Sequence, residues 1–227
     1  IKHKKPTLTK KQRHKLRVQQ VRRQKIFLTC LFLLIVGCIL LRFSKFSGRQ
    51  EEAHQINAAC EAYRDEVSSE AAQYDMSKYV DLILAVMMQE SSGQGTDPMQ
   101  SSEGAYNTRY PQQPNGITDP SYSISCGIQE LKYALDKAGC TGPTDLSKIR
   151  LALQAYNFGA DSYFAYLEEN GQTVWTAQSA QAFAQMASGG TQRDEDDPLH
   201  DPAGPWDYGD QYYPDHVLRY YHLDNNS

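Results

Sequence analysis

The sequence of residues 79–93 reads Tyr-Val-Asp-Leu-Ile-Leu-Ala-Val-Met-Met-Gln-Glu-Ser-Ser-Gly. This run predicts a helix, because its apolar residues recur at helical spacing and the glycine that follows favours termination. Ile83, Val86 and Met87 lie seven, four and three residues before Glu90, so they share one helical face with its carboxyl group. We therefore expect an acid on the apolar face of a buried helix, near the helix's C-terminal end.

A carboxyl group in that position should have a raised pKa. Desolvation by apolar neighbours and the negative end of the helix dipole both disfavour the charged form of Glu90. A carboxylic acid that stays protonated near neutral pH is the general acid that cleavage of a glycosidic bond requires. The alternative is structural, since most glutamates at a helix end extend their carboxylate into solvent. The helix alone leaves both interpretations open.

The chain from residue 51 onward also predicts helices, which makes the fold class all-α. Residues 51–75 are rich in Ala, Glu and Gln and predict a first helix, and Ser77 is a candidate N-cap for the helix described above. Residues 91–118 and 188–211 are dense in Gly, Pro and polar residues, which predicts loops. Asp119-Pro120 is a strong helix start. Five further helices are predicted, over residues 119–138, 146–158, 162–169, 177–187 and 213–220.

Charge divides the chain into two parts. Residues 1–50 contain no acid, and residues 2–25 alone hold eleven Lys and Arg. Residues 51–227 contain all 27 acids and only nine Lys or Arg, which gives them a formal charge of −18. Because nucleic-acid-binding surfaces are basic, this acidic part is not expected to bind nucleic acid.

An apolar segment lies between the two parts. Residues 26–41 are uncharged and mostly apolar, and two phenylalanines extend the run to residue 46, toward the ~30 Å hydrocarbon core of a bilayer. We expect a transmembrane anchor over residues 26–46, with residues 1–25 as a basic cytoplasmic arm and residues 51–227 outside. The rival interpretation is a cleaved signal peptide, although the basic region is long for a signal and no Ala-x-Ala site follows.

The cysteines and histidines indicate no cofactor and no metal site. Cys30 and Cys38 lie in the apolar segment, while Cys60, Cys126 and Cys140 form an odd set without CxxC spacing. Buried thiols are the simplest interpretation of these three, with one disulfide at most. The six histidines are scattered, so we expect neither a bound metal nor a cofactor.

Three further motifs follow Glu90 in order. They are Ser125-Cys126-Gly127-Ile128-Gln129, Ala155-Tyr156-Asn157-Phe158-Gly159 and Tyr213-Pro214-Asp215-His216-Val217-Leu218. Together with Glu90-Ser91-Ser92-Gly93 they resemble the signature of goose-type lysozymes and lytic transglycosylases. Asp97-Pro98-Met99-Gln100 and Gly116-Ile117-Thr118-Asp119-Pro120 are similar to the lysozyme-like domains of Gram-positive bifunctional wall hydrolases. The resemblance covers about residues 55–222, and its motifs are specific only in combination.

The resemblance implies a two-lobed, lysozyme-like helical fold with a groove for the glycan strands of peptidoglycan. Glu90 matches the family's catalytic acid. Five residues are expected to line the groove or bind substrate: Ser91, Gln129, Tyr156, Asn157 and Tyr213. The alternative for the two tyrosines is a core position in which their hydroxyl groups find partners. The motif around Gln129 departs from the usual Gly-Leu-Met-Gln, which affects only its packing.

Glu90 alone supports one chemistry, in which the sugar's own 6-hydroxyl attacks the anomeric carbon and leaves an anhydro end. A second carboxylate would let water attack instead, at a separation of roughly 6.5–9.5 Å for inversion. Asp97 is the first candidate, and Glu103 and Asp119 are the next. Asp97 is otherwise a turn residue before Pro98.

We therefore expect a membrane-anchored, outward-facing muramidase or lytic transglycosylase. It would cleave the β-1,4 bond between N-acetylmuramic acid and N-acetylglucosamine. Its partners would be peptidoglycan, the membrane through residues 26–46, and possible cell-wall or division proteins. The alternative is a non-catalytic binding or scaffold module of a wall or division complex. Related enzymes often carry a second, peptidase domain, and no peptidase activity is expected from this sequence.

Overall fold

The computed structural model describes residues 54–197 and 200–222, and these residues form helices joined by long loops. The helices are α1 (Ala58–Glu61), α2 (Arg64–Gln73), α3 (Val80–Glu90), α4 (Pro120–Ala138), α5 (Leu146–Phe158), α6 (Ala160–Glu169), α7 (Ala177–Ala187) and α8 (Tyr213–Leu218). Within these ranges the extended backbone pairs only at an isolated bridge between Gln192 and Trp206. The predicted all-α fold is confirmed for this part of the chain.

The start and stop signals of α4 act as the sequence predicts. The Asp119 side chain accepts hydrogen bonds from the backbone N–H groups of Ser121 and Tyr122, and Pro120 occupies the first turn. Gly139 ends the helix in the left-handed conformation, at a φ of 71°. The predicted bounds of α5 and α7 are also confirmed.

Four predicted helix boundaries are wrong, and the first is the start of α6, which lies at Ala160, two residues earlier than predicted. Ser77 does not cap α3, because residues Ser77–Tyr79 form a 3₁₀ turn and α3 begins after Tyr79 without a side-chain cap. The single helix predicted over residues 51–75 is two helices in the described residues, α1 and α2, separated at Ala62 and Tyr63. The last helix, α8, ends at Leu218, two residues earlier than predicted.

Helix α3 lies at the centre of the core. Its residues Leu82–Met87 have no exposed surface, and α1, α2 and α8 pack against the helix. Burial of each large apolar side chain contributes about 1.5–3 kcal/mol relative to exposure, so this packing fixes the position of Glu90 at the helix end. Helices α4 and α5 form the largest helix pair, and α8 packs on α5 as well as on α3.

The three cysteines in the described residues are free thiols. Cys60 and Cys126 are buried, and Cys140 is half-buried. None of the described helices is long and apolar enough to cross a membrane. The predicted arm at residues 1–25 and the predicted anchor at residues 26–46 lie outside the described residues.

Candidate active site

A cavity of about 1190 Å³ opens at the C-terminal end of α3, and Glu90 lines it. Tyr156 and Asn157 from α5 and Tyr213 from α8 also line the cavity. Residues 103–106 and the segment before α8 supply other parts of its wall. The structure therefore brings together Glu90 and three of the five residues that the resemblance assigns to the groove.

Glu90 occupies the position that its helical spacing predicts. Ile83, Val86 and Met87, on the same face of α3, are fully buried, and Glu90 itself is only partly exposed. The buried Tyr213 donates its phenolic O–H to Glu90 Oε1. This hydrogen bond joins the last residue of α3 to the first residue of α8.

The surroundings of Glu90 favour its neutral form. The pKa of Glu90 is raised to about 7, mainly by desolvation in the surrounding protein and to a smaller extent by the negative charges of Asp210 and Asp97. The hydrogen bond from Tyr213 opposes this shift, because it favours the ionised carboxylate. The predicted rise in pKa is confirmed, and desolvation is its main cause. At neutral pH the group can both give and take a proton.

Tyr156 lines the cavity beside Tyr213. The two rings stack at 6.3 Å between centroids and 22° between planes. The hydroxyl group of Tyr156 donates to the backbone oxygen of Met99 at 2.9 Å, so its hydroxyl is satisfied within the protein. Tyr156 thus joins α5 to the loop that follows α3.

Asn157 lines the cavity and also organises its wall. Its Oδ1 atom accepts a hydrogen bond from the backbone N–H of Asp210 at 2.7 Å. Gly209 packs against the same amide, because a Cβ atom at this glycine would lie 2.6 Å from Asn157 Oδ1. The amide oxygen of Asn157 is therefore used to hold the segment before α8, which leaves its NH₂ group for other contacts.

Ser91 does not line the cavity that holds Glu90, in contrast to the expectation that it binds substrate. Its Oγ atom donates to the backbone oxygen of Pro98 at 2.8 Å and accepts from the backbone N–H of Gly93 at 3.0 Å. Ser91 closes the turn after α3 and ties the following loop to it.

A carboxylate that positions the attacking water should face the cavity that holds Glu90, and Asp97 does not. Asp97 is only 1% exposed. Its Oδ1 accepts from Ser101 N at 3.0 Å and from Ser123 Oγ at 2.6 Å, and its Oδ2 accepts from the N–H and the hydroxyl of Ser102. Four donors occupy the four acceptor sites of the carboxylate, so Asp97 organises the loop after α3.

The two other candidate carboxylates also differ in position. Glu103 is exposed and lines the cavity with Glu90. Asp119 caps α4 and does not line that cavity. Glu103 is thus the one member of the three predicted candidates that faces the same space as Glu90.

Gln129 lines a second cleft of about 550 Å³ instead of the cavity that holds Glu90. Its Nε2 atom donates to the backbone oxygen of Ser125 at 3.2 Å. The cavity and the second cleft share Ala105 and Tyr106 in their walls. Gln129 and Glu90 therefore line two neighbouring spaces, and the role of Gln129 in binding the glycan stays a prediction.

Glu130 is a further acid that lines the cavity, and the sequence analysis does not predict it. Its Oε1 atom is buried and has no hydrogen-bond partner among the described residues. Gly104 leaves room for it, because a Cβ atom at this glycine would lie 1.4 Å from Glu130 Oε1. Desolvation raises the pKa of Glu130 to about 7, although a backbone hydrogen bond from Tyr106 lowers it. The charges of Asp97 and Glu90 also disfavour its ionised form.

The signal for Glu130 was present in the sequence. Cys126 and Gly127 lie four and three residues before it and Ala134 lies four residues after it, and all three are buried on α4. This is the helical spacing that identified Glu90. Glu130 was overlooked because the family signature ends at the preceding glutamine.

Comparisons with known proteins agree with this geometry. A family model described as Lysozyme-like matches residues 58–221. The bifunctional muramidase/DL-endopeptidase CwlT of Bacillus subtilis is 35% identical over 173 residues, which are 76% of this chain and 43% of CwlT. Pneumococcal vaccine antigen A of Streptococcus pneumoniae is 31% identical over 146 residues, which are 63% of this chain and 65% of that protein.

A solved structure is also similar. It is the crystal structure of a Staphylococcus aureus protein described as similar to a lipoprotein of the NLP/P60 family. The TM-score is 0.63 at 26% sequence identity, and the match covers 77% of this chain and 56% of the other. This chain spans less than two thirds of the length of each of these three proteins.

Proposed function

The chain belongs to the lysozyme-like family, and on that premise we propose that it cleaves the glycan strands of peptidoglycan. The bond cleaved is the β-1,4 bond between N-acetylmuramic acid and N-acetylglucosamine, and Glu90 is the catalytic acid. The observation that carries this proposal is the position of Glu90, an acid with a pKa of about 7 in a cavity of about 1190 Å³. That volume exceeds the roughly 300–1,000 Å³ of most small-molecule sites, which suits a polymer of sugar rings.

In the first step the neutral Glu90 protonates the oxygen of the leaving sugar. The bond between that oxygen and the anomeric carbon breaks, and positive charge develops on the sugar ring. Glu90 becomes a carboxylate in this step, and Tyr213 already donates a hydrogen bond to its Oε1. This hydrogen bond is stronger to the ionised form, so it stabilises the product of the proton transfer.

In the second step a nucleophile attacks the anomeric carbon and loses a proton. If the attacker is the sugar's own 6-hydroxyl, the Glu90 carboxylate takes that proton and the product has an anhydro end. If the attacker is water on the opposite face of the ring, a second carboxylate must orient the water and take its proton, and the product has a reducing end. We propose Glu103 for this role, because it lines the cavity with Glu90, whereas the four donors around Asp97 leave it no free acceptor site. Asp97 would then contribute by fixing the loop that carries Glu103.

The product mass distinguishes the two chemistries. Purified peptidoglycan digested with the wild type should yield either anhydro or reducing ends, which differ by one water. If reducing ends form, Glu103→Gln should suppress them and leave thermal stability nearly unchanged, because Glu103 is exposed. Full activity of this variant with reducing ends would remove Glu103 from the mechanism.

The test of the catalytic role itself is Glu90→Gln. Glutamine keeps the shape of the side chain and cannot donate a proton from a carboxyl group, so release of sugar ends should fall by at least about 100-fold. Binding of the variant to insoluble peptidoglycan should persist. Glu169→Gln, on the exposed end of α6, is the matched control and should keep wild-type activity.

An unchanged rate in Glu90→Gln would remove Glu90 from the mechanism, whereas equal wall binding by the wild type and the variant, with no release of sugar ends by either, would favour a non-catalytic role. The lysozyme-like domain would then serve as a glycan-binding or scaffold module for cell-wall or division proteins. Wall binding without any release of sugar ends by the wild type would support the same conclusion.

We also propose that the domain faces the cell wall from a membrane anchor. The support is the sequence pattern of a basic arm at residues 1–25, an apolar segment at residues 26–46 and an acidic remainder. On cells stripped of their wall, added protease should digest residues 51–227 and leave residues 1–25 protected. Release of the chain into the medium with a new N-terminus after Leu41 would show that the apolar segment is a cleaved signal.

A further inference from the structure

The second cleft carries a binding element that the proposed reaction does not use. Arg109 lies at this cleft with its guanidinium carbon 4.6 Å from the centre of the Tyr122 ring. Among the described residues no carboxylate lies within ion-pair distance of Arg109, whereas Arg64 and Arg150 each pair with an aspartate. A guanidinium stacked on a ring still presents its N–H edge, which matches a carboxylate in two parallel hydrogen bonds.

The platform beneath Arg109 is rigid. The Tyr122 hydroxyl accepts a hydrogen bond from the backbone N–H of Thr108 at 2.9 Å and donates to the backbone oxygen of Tyr106 at 3.1 Å. The loop that carries Arg109 is held in turn by Asn107, which is only 2% exposed and accepts from the backbone N–H of Arg109 at 3.3 Å. Preorganisation of this kind reduces the entropy lost when a ligand binds.

The other groups of the cleft fit a ligand with mixed charge and amide groups. Glu70 and Asp119 line it, and each offers a carboxylate to an amine. Gln129 adds a side-chain amide, which can donate and accept hydrogen bonds like a peptide group. While its lactyl carboxyl group is held in the amide bond to the stem, a muramic acid residue offers no charge to the cation or to the two acids, but a short peptide with free carboxyl and amino groups uses both.

The cleft also lies beside the proposed catalytic cavity, since both contain Ala105 and Tyr106 in their walls. In peptidoglycan, short peptides are attached to the N-acetylmuramic acid residues of the strand that the cavity would hold. We propose that the second cleft binds this peptide stem and that Arg109 holds one of its carboxylates. The proposal rests on the proposed function, because the glycan must enter the cavity for the stem to reach the cleft.

The test compares two forms of the same glycan strands, one with peptide stems and one from which an amidase has removed them. The wild type should cleave the peptide-bearing strands with the lower KM. Arg109→Gln should raise that KM about three- to tenfold, the range expected for loss of a charge-assisted hydrogen bond at an exposed site. Its kcat should stay within about twofold, because Arg109 does not line the cavity that holds Glu90. Its kinetics on stripped strands should equal those of the wild type.

Lys78→Gln is the matched control. It removes one positive charge from an exposed position that lines neither the cavity nor the second cleft. It should behave as the wild type on both substrates. Arg109→Lys should restore only part of the preference, because an ammonium group cannot make the two parallel hydrogen bonds.

Two outcomes would overturn the proposal. Equal effects of Arg109→Gln on both substrates would mean that the cleft binds sugar, and a wild type without preference would mean that it binds no stem. If the wild type cleaves neither substrate, the proposed function fails, and titration with a free stem tripeptide still tests the cleft. Peptide-induced chemical-shift changes at Arg109 and Tyr122 in the wild type, with the change at Tyr122 lost in Arg109→Gln, would support binding of the stem at the second cleft. Absence of these changes in the wild type at millimolar peptide would refute it.

Discussion

Glu130→Gln should make the stability of the protein less dependent on pH. Burial raises the pKa of Glu130 from an ordinary 4.5 to about 7, so the folded protein holds this proton more tightly than the unfolded chain. The folded state is then favoured below pH 4.5, and its advantage is lost as the pH rises to about 7. A glutamine cannot ionise, so the variant should not show this loss.

The size of the effect follows from the shift. A difference of about 2.5 pKa units corresponds to about 3 kcal/mol of unfolding free energy, at about 1.4 kcal/mol per unit. The glutamine can keep an oxygen toward the Tyr106 N–H, but its NH₂ group must replace the buried Oε1 beside Gly104. That replacement costs about 1 kcal/mol at every pH. The test of the argument is therefore how the difference in unfolding free energy between the variant and the wild type changes with pH, and not the size of that difference at one pH.

The assay is urea unfolding at pH values from 4.5 to 8.5, followed by the fluorescence of Trp175 and Trp206. The free energy of unfolding of Glu130→Gln relative to the wild type should rise by about 3 kcal/mol across this range. Glu90→Gln should show a rise of similar size, since burial also raises the pKa of Glu90 to about 7. Glu169→Gln should shift by no more than about 0.5 kcal/mol. A constant difference between Glu130→Gln and the wild type would refute the argument that Glu130 is buried in its neutral form.

Three further results are expected. Tyr213→Phe removes the hydrogen bond that lowers the pKa of Glu90. The alkaline limb of the pH–activity profile should therefore move to higher pH while kcat falls, and wall lysis measured from pH 5 to pH 9 checks this. Asp97→Asn should lower the unfolding free energy by about 2–4 kcal/mol in urea titrations, because an amide cannot accept from all four donors. A loss of activity without a loss of stability would contradict the structural role of Asp97. Gly104→Ala should destabilise the fold by about 1–3 kcal/mol, since its Cβ atom would displace Glu130 Oε1, and adding Glu130→Ala should recover part of the lost melting temperature.

Local spacing was enough to predict α3 and the environment of its acid. Six consecutive residues of α3 are fully buried, and Glu90 follows them on the same face, so the periodicity of one helix determined the desolvation of one carboxyl group. The helix starts at Asp119 and Thr176 are also local, because each cap side chain bonds to a backbone group within its own first turn. Features of this kind depend on few residues, all close in the sequence.

The misplaced residues depend on contacts between distant segments. Asp97 is held by Ser123, 26 residues away, and the packing of α4 beside the loop decides that its carboxylate turns inward. Gln129 lines the second cleft, which shares Ala105 and Tyr106 of the loop after α3 with the cavity that holds Glu90. A family signature predicts which residues recur, but it does not predict the path of the loop after α3.

The hydrogen bond between Tyr213 and Glu90 spans 123 positions of the sequence. Helix α3 therefore acquires its finished surroundings only after α8, near the end of the described chain, has docked. Contacts of such high sequence separation slow folding, because the entropy of closing the long loop is lost before the contact forms. A partly synthesised or partly translocated chain would carry Glu90 without the tyrosine that hydrogen-bonds to it, so its activity should be lower than that of the folded domain. For an enzyme proposed to cut the wall of its own cell, this dependence would delay full activity until the domain has folded.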